Sequence, residues 1–249
     1  MIRVKDIFGF LAERYPLDTA CDFDNAGFLV GDSNEDVKKV LVCLDCDITA
    51  IEKAKELGCN LIVTHHPVIF GGLKSITENS IVYKLIKNDI AVISMHTNLD
   101  IANDGVTVRL CEALGLKNIK PFVAENGFAL RSAEVNNLTP EDFAALIKDK
   151  LNFSVRYVEG DRNINKVLVC SGSGGEFLKE TVGFGFDALL TADVKHNVFI
   201  DAINSGVSVF DGGHYATENV IVKPLATLLA DNFKDIEFIP YSPDLIKSI

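Results

Sequence analysis

The fold prediction starts from the stretch Leu61-Ile62-Val63-Thr64-His65-His66-Pro67. Its apolar beginning is typical of a short buried strand, and two adjacent imidazoles follow where that strand ends. Successive side chains of a strand point to opposite faces, so a longer strand would bury one imidazole ring in the core. We therefore expect His65 and His66 to lie in a loop, where both rings can bind metal. A pair of solvated loop histidines is the alternative.

The residues around this strand indicate a β-α-β unit. Residues 40–44 are strand-like, Asp47 is a favourable helix N-cap, and Gly58 is typical of the position after a helix. Two parallel strands with a right-handed crossover are expected, followed by a third strand at residues 90–94. Ligands bind such sheets beyond the carboxyl ends of the strands. Further helices are predicted at residues 2–15, 79–88, 107–114 and 139–151.

An internal repeat predicts two related halves. Residues 39–43 read Lys-Val-Leu-Val-Cys, and the same five residues recur at 166–170. The two copies are 127 residues apart (166 minus 39), and the same offset of 127 places His66 on Asp193. The predicted fold class is α/β, with mixed sheets in two similar α/β halves and a metal site in the cleft between them. The expected domains are residues 1–124 and 125–249.

Composition and charge restrict the classes of function. The chain has 249 residues and a formal net charge of -11. A general nucleic-acid binder needs a basic face to neutralise phosphates, so nucleic acid is not expected as a partner. The sequence contains no apolar run of membrane-spanning length and no signal-peptide pattern, which predicts a cytoplasmic protein without a membrane partner. The six cysteines are scattered, which favours reduced thiols over disulfides or a zinc ribbon.

Side chains with metal-binding chemistry follow three of the predicted strands. They are His65, His66, His96, Asp100, His214 and Glu218. Residues four apart on a helix share a face, so His214 and Glu218 are expected to clamp one ion together. Imidazoles and carboxylates without thiolates suit Zn, Fe, Mn, Co or Ni. Six such groups exceed the needs of one tetrahedral ion, so we expect two divalent ions and metal-assisted hydrolysis. Polar residues gathered at a surface by chance are the alternative.

Four motifs carry a family resemblance over nearly the whole chain. They are Phe23-Asp24-Asn25-Ala26-Gly27-Phe28-Leu29-Val30-Gly31, Thr64-His65-His66-Pro67-Val68-Ile69-Phe70, His96-Thr97-Asn98-Leu99-Asp100 and Asp211-Gly212-Gly213-His214-Tyr215-Ala216-Thr217-Glu218. In this order they resemble the GTP cyclohydrolase I type 2 family, also called the Nif-three-like family.

The resemblance implies a toroidal homohexamer, a duplicated α/β fold and a two-metal centre. The activity ascribed to the family is opening of the GTP imidazole ring, with loss of formate, to give dihydroneopterin triphosphate. A nucleotide is therefore the expected small-molecule substrate. The metal ligands that the resemblance implies are His65, His66, Asp100, His214 and Glu218. His96 is not needed as a ligand, so we expect it to move protons, with a supporting or core role as the alternative.

Three residues are candidates for binding the substrate. Asp24 and Asn25 lie in a turn-like cluster before a short strand, and Lys74 is a candidate for contacting a phosphate. An ordinary turn and a solvated lysine are the respective alternatives. Residues 172–175, Gly-Ser-Gly-Gly, favour a tight turn, with a phosphate cradle as the alternative. His196 is expected beside the site without binding metal.

Two other hypotheses fit the sequence. The first is a non-catalytic regulatory or interaction protein that forms a ring-shaped oligomer and uses its metals to hold its halves together. The second is a DNA-binding ring, which the acidic charge disfavours.

Overall fold

A computed structural model of the protein describes residues 1–243 and 245–246. The helices are α1 (Val4–Arg14), α2 (Ile48–Leu57), α3 (Ile81–Lys87), α4 (Thr97–Asp100), α5 (Val106–Ala113), α6 (Pro140–Leu151), α7 (Leu178–Gly183), α8 (His196–Asn204), α9 (His214–Glu218) and α10 (Val222–Asn232). The strands are β1 (Gly27–Val30), β2 (Lys39–Cys43), β3 (Leu61–Thr64), β4 (Ala91–Ser94), β5 (Lys117–Val123), β6 (Ala129–Leu138), β7 (Arg156–Val158), β8 (Ile164–Ser173), β9 (Ala188–Ala192), β10 (Ser208–Asp211) and β11 (Glu237–Tyr241). None of the helices in the described ranges is long and apolar enough to cross a membrane.

The described residues form two compact units. The first unit contains Met1–Leu99 and Val222–Pro243, and the second contains Asp100–Ile221. These units differ from the ranges 1–124 and 125–249 that the sequence suggested. The physical reason is that β11 pairs in parallel with β2, so the chain returns to the first unit for its last helix and strand.

The first unit is built on a mixed sheet with strand order β1-β4-β3-β2-β11. Strands β2, β3 and β4 are parallel, as the β-α-β pattern predicted, and β1 runs antiparallel to β4 at one edge. β3 and β4 are buried along their whole length, which explains their continuous apolar sequence. The crossover helix α2 is capped by Asp47, whose Oδ1 accepts from the Ala50 N–H at 2.8 Å. Gly58 ends that helix in the left-handed conformation, with φ 73°.

The second unit is built on a mixed sheet with strand order β5-β6-β8-β9-β10-β7. Strands β8, β9 and β10 are parallel, while β5, β6 and β7 pair antiparallel. One face of the sheet packs against apolar side chains such as Phe143 of α6, and the other packs against side chains such as Ala202 of α8. Both faces are therefore covered, as expected for parallel strands of high apolar content.

The predicted duplication is present in the strand register. Val40 pairs with Leu61 in the first unit, and Val167 pairs with Ala188 in the second. Both pairs are related by the offset that the sequence repeat suggested. The antiparallel edge is repeated too, because β1 borders β4 and β7 borders β10. The predicted α/β fold with two similar halves and mixed sheets is thus confirmed.

The duplication extends to buried polar contacts. Asn60 Oδ1 accepts from the Lys38 N–H at 2.9 Å, just before β2. In the second unit, Asp187 Oδ2 accepts from the Asn165 N–H at 2.9 Å, close to the start of β8. Each side chain precedes the next strand and satisfies a backbone donor of its neighbour, so the same device aligns the two strands in both units.

Candidate metal centre

One group of candidate metal-binding side chains follows β3 in the first unit. The carbonyl of Met95 accepts a hydrogen bond from His65 Nδ1 at 2.9 Å, and Asp45 Oδ1 lies 2.7 Å from His66 Nδ1. A carbonyl or carboxylate oxygen can only accept, so Nδ1 carries the proton in both rings and Nε2 carries the lone pair. This arrangement of acceptors is typical of metal-binding histidines, because it fixes the tautomer and orients the ring.

His96 follows the neighbouring strand β4. Asp24 Oδ1 lies 2.8 Å from its Nδ1, and Asp24 Oδ2 accepts from the Thr97 N–H at 2.9 Å. Burial alone would raise the pKa of the fully buried Asp24 side chain, but hydrogen bonds from His96 and Thr97 outweigh it and lower the pKa to about 2. Asp24 is therefore an anion that fixes the imidazole of His96.

The three histidines of the first unit form a cluster that can hold a metal ion. One ring nitrogen of each of His65, His66 and His96 lies within 4.8 Å of those of the other two. Their ring centroids are 5.0 to 5.6 Å apart. His96, which the sequence analysis treated as a proton carrier, is thus also in a position to act as a ligand. The donor set, neutral imidazoles with oriented Nε2 atoms, fits a divalent transition metal.

Another group of candidate metal-binding side chains lies in the second unit, at α9. His214 begins this helix, and Glu218 follows one turn later with its side chain buried. His214 Nε2 lies 3.0 Å from Glu218 Oε2, while Asp193 Oδ2 lies 2.6 Å from His214 Nδ1. The i,i+4 spacing therefore brings an imidazole and a carboxylate together on one helix face, as the sequence predicted.

Asp100 is a further carboxylate of the second unit that the sequence suggested as a metal ligand. It is buried, and its Oδ1 accepts from Ser171 Oγ at 3.2 Å. Ser171 is held in turn by Thr107, whose Oγ1 lies 2.8 Å away. The chain directly after Asp100 is fixed by the buried Arg131, whose Nη2 donates to the carbonyls at positions 101 and 102 at 2.7 Å each.

Gly172 leaves space for the side chains of His214 and Glu218 in α9. A Cβ atom at this position would collide with Glu218 Oε1 and would lie 3.4 Å from His214 Nε2. The Gly172 N–H donates to Thr217 Oγ1 at 3.2 Å, and its carbonyl accepts from Thr191 Oγ1 at 2.8 Å. Both backbone groups are thus used within the unit. Gly172 and Ser173 are the last residues of β8, and Gly175 begins a short 3-10 helix, Gly175–Phe177, so the tight turn expected at residues 172–175 is not what the chain forms there.

Of the three residues expected to bind substrate, two make hydrogen bonds within the first unit and one is exposed. Asp24 is occupied by His96 and Thr97, as described above. Asn25 Nδ2 donates to the Ile69 carbonyl at 2.7 Å. Lys74 lies in an exposed segment, and His196 is exposed at the start of α8.

Two carboxylates that orient histidines were not assigned from the sequence. Asp45 directs His66, and Asp193 directs His214. The repeat gave a signal for Asp193, since the offset places it on His66 of the first half. The Met95 carbonyl that fixes His65 has no such signal in the sequence, because every residue offers a backbone carbonyl whatever its side chain.

The fold agrees with the family that comparison identifies. The chain belongs to the Duf34/NIF3 (NGG1p interacting factor 3) family, whose model matches residues 2–244. The family resemblance predicted from the four motifs is therefore confirmed.

Curated relatives share most of their length with this chain. The "GTP cyclohydrolase 1 type 2 homolog" of Clostridium acetobutylicum is 32% identical over 230 residues, which cover 87% of this chain and 85% of the relative. The protein of the same name from Clostridium perfringens is 31% identical over 250 residues, covering 96% and 95%.

Solved structures of the family are similar throughout. Staphylococcus aureus protein SA1388 matches with a TM-score of 0.90 and 32% identity, covering 100% of this chain and 99% of that one. Reduced HcgD from Methanocaldococcus jannaschii matches with a TM-score of 0.82 and 32% identity, covering 96% and 97%. A Bacillus cereus protein related to NIF3 has a TM-score of 0.91 at 22% identity, which supports the fold alone.

Proposed function

We propose that this protein is a dinuclear-metal-dependent hydrolase that acts on GTP or a related nucleotide. The reaction is opening of the GTP imidazole ring, with release of formate, to give dihydroneopterin triphosphate. The names of the clostridial relatives support the substrate class. The observation that carries the proposal is the shared orientation of His65, His66, His96 and His214. Each has Nδ1 within hydrogen-bond distance of an oxygen acceptor, which fixes the ring so that Nε2 is the atom it would present to a metal or a proton.

The proposed ligands of the two divalent ions are His65, His66, Asp100, His214 and Glu218. The buried carboxylates among them offset the positive charge of the ions. Bound divalent ions supply Lewis acidity and lower the pKa of a coordinated water towards neutrality.

The remaining chemistry belongs to His96 and Asp24. His96 accepts a proton at Nε2 from the water that attacks the imidazole carbon of the substrate, and returns it to the ring nitrogen that is released when the bond between that carbon and nitrogen breaks. A second water cleaves the resulting formamide to release formate. Asp24 stays ionised because its pKa is held at about 2, so it keeps accepting from His96 Nδ1 and holds the imidazole ring in place during this transfer. This gives Asp24 an indirect role in catalysis in place of direct substrate binding.

Replacement of Glu218 by Gln tests the metal assignment and the reaction together. We expect Glu218→Gln to reduce the metal content of the purified protein and to lower the release of formate from GTP by at least about 100-fold. Glu180→Gln is the matched control, because Glu180 is another buried glutamate of the second unit. Metal content is measured by mass spectrometry and product formation by chromatography. Equal turnover in wild type and Glu218→Gln would rule out the catalytic assignment.

Chelation separates this proposal from a purely structural role of the metals. A metal-dependent enzyme keeps its fold and loses turnover when the ions are removed. Unfolding of the chelated protein, followed by circular dichroism, would instead support the non-catalytic alternative.

The family resemblance also leads us to propose a homohexamer. Light scattering coupled to size-exclusion chromatography is expected to give six times the chain mass of 27.2 kDa. A mass of one or two chains at micromolar concentration would contradict it.

A further inference from the structure

Two phenylalanine rings are exposed beside the histidine cluster of the first unit. Phe23 is 68% exposed and Phe70 is 64% exposed. Their ring centroids are 6.4 Å apart and their planes are inclined by 64°. We call these two rings the aromatic pair. Exposed aromatic groups next to polar functional groups are characteristic of binding sites, because an unoccupied apolar surface is unfavourable in water.

The aromatic pair is continuous with the histidine cluster. The Phe70 ring lies 6.1 Å from the His96 ring, with an angle of 85° between their planes. His96 belongs to the same cluster as His65 and His66. The rings therefore form a row that runs from the metal-binding nitrogens to the exposed face of Phe23.

Hydrogen bonds on both sides hold the aromatic pair in place. Asn25 donates from Nδ2 to the carbonyl of Ile69, so the loop before β1 is tied to the loop after β3. Asp24, next to Phe23 in the chain, accepts from the backbone of Thr97. The two loops that carry the phenylalanines are thus connected to each other and to the end of β4, which preorganises the rings for a ligand.

We propose that the aromatic pair is the stacking site for the planar heterocyclic ring of the substrate. This inference rests on the proposed function, because it takes the substrate to be a nucleotide. The inclined rings suit a ligand ring that stacks on one phenylalanine and meets the other edge-on. In that position the edge of the ligand ring points along the row towards His96. Stacking recognises the π-face that every base has, so the site selects for a flat aromatic ring and discriminates weakly among bases.

Three variants test the stacking site. Phe70→Leu keeps an apolar side chain and removes the π-face, while Phe70→Trp keeps a π-face. The matched control is Phe184→Leu in the second unit, because Phe184 is also 64% exposed and lies 5.0 Å from another ring, that of Phe122. Binding to the metal-loaded protein is measured by calorimetry with two probes. One is 7-deaza-GTP, whose carbon-substituted ring resists hydrolytic opening, and the other is inorganic triphosphate, which has no base.

The expected result is selective. Phe70→Leu weakens the binding of 7-deaza-GTP about tenfold and leaves the binding of triphosphate unchanged. Phe70→Trp binds 7-deaza-GTP within about twofold of wild type, and Phe184→Leu is equal to wild type for both probes.

Several results would overturn the inference. These are equal affinity of wild type and Phe70→Leu for 7-deaza-GTP, an equal loss for both probes, or no binding of 7-deaza-GTP by wild type. A changed oligomer mass in Phe70→Leu with unchanged nucleotide binding would assign the aromatic pair to a contact between copies of the chain, and would also reject it.

The experiments can reject the stacking site and the hydrolase proposal independently of each other. If GTP is not opened but binding still depends on Phe70, the stacking site stands and the hydrolase proposal fails. If GTP is opened equally well and bound equally tightly by Phe70→Leu, the hydrolase proposal stands and the stacking site fails.

Discussion

The carboxylate of Glu218 lies directly against Gly172, in the space that any larger residue at position 172 would need for its Cβ atom. Gly172 also has a φ of 61°, which is unfavourable for residues with a Cβ. Two independent requirements, space and backbone conformation, therefore call for glycine at this position. The arrangement couples the backbone at the end of β8 to the position of a proposed metal ligand.

Gly172→Ala is expected to displace the Glu218 carboxylate and to lower the amount of metal bound per chain. The left-handed backbone adds about 1 kcal/mol of destabilisation. Metal content of the purified variant checks the first effect, and urea unfolding checks the second. Gly183→Ala is the control, because Gly183 has open space around its Cβ position and ends α7 in the same unit. Metal content equal in Gly172→Ala and wild type would contradict the role given to this glycine.

Removal of an orienting carboxylate is expected to weaken metal binding without removing a ligand. Asp193→Ala leaves the His214 ring free to rotate and less basic, so metal affinity falls by about 10–100-fold. Asp45→Ala has the equivalent effect through His66. Competition with a chromophoric chelator measures both affinities. Asp201→Ala, which removes an exposed carboxylate of α8, should match wild type. If all three variants bind metal alike, Asp45 and Asp193 do not support the ligands.

Arg131 is expected to contribute strongly to the stability of the second unit. Its guanidinium is 1% exposed and donates to three carbonyls, those at positions 101, 102 and 130. Arg131→Met leaves these acceptors buried without their donor, which costs about 3 kcal/mol in the free energy of unfolding. Arg162→Met is the control, since Arg162 also donates to backbone carbonyls but is exposed, and its loss should cost less than about 1 kcal/mol. Urea denaturation of the metal-free proteins distinguishes the two, and equal losses would count against the assignment.

Asp24 makes stability depend on acidity. Its pKa is lowered from 3.8 to about 2 by folding, so the folded state binds fewer protons than the unfolded state. The contribution, about 2 kcal/mol, is complete above the unfolded pKa and is lost as the pH falls from about 5 towards 2.

Asp24→Asn should therefore show a weaker loss of unfolding free energy than wild type between pH 5 and pH 3. Urea unfolding of the metal-free proteins at several pH values provides the comparison. Asp18→Asn, which removes an exposed carboxylate of the same unit, should follow the wild-type curve. Parallel curves for wild type and Asp24→Asn would show that His96 and Thr97 do not hold Asp24 as an anion.

Much of the fold was predictable because its signals are local. The apolar run before His65 gave β3, and the repeat gave the register of its counterpart β9. The first and last residues of the predicted helices lie within about two residues of the observed boundaries, as is usual for boundaries set by local caps. The spacing of His214 and Glu218 predicted their contact because helix geometry alone determines it.

The features that were not predicted depend on distant parts of the chain. β11 pairs with β2 across most of the sequence, and no local pattern specifies that partner. Arg131 lies in strand β6, and an arginine in a strand is ordinarily solvated. Its burial is explained by the carbonyls to which it donates, two of which lie far away in the sequence, at positions 101 and 102. The partner of His65 is a backbone carbonyl, which any residue at position 95 would supply.

The position of β11 also affects how the protein is made. The second unit lies between β2 and β11 in the chain, so β11 leaves the ribosome on the order of tens of seconds after β2. Until then one side of β2 presents unsatisfied backbone donors and acceptors, which invites pairing with other nascent chains. The open edge of β2 is therefore exposed to aggregation for as long as β11 is missing, and a chain that stops before β11 would keep that edge open.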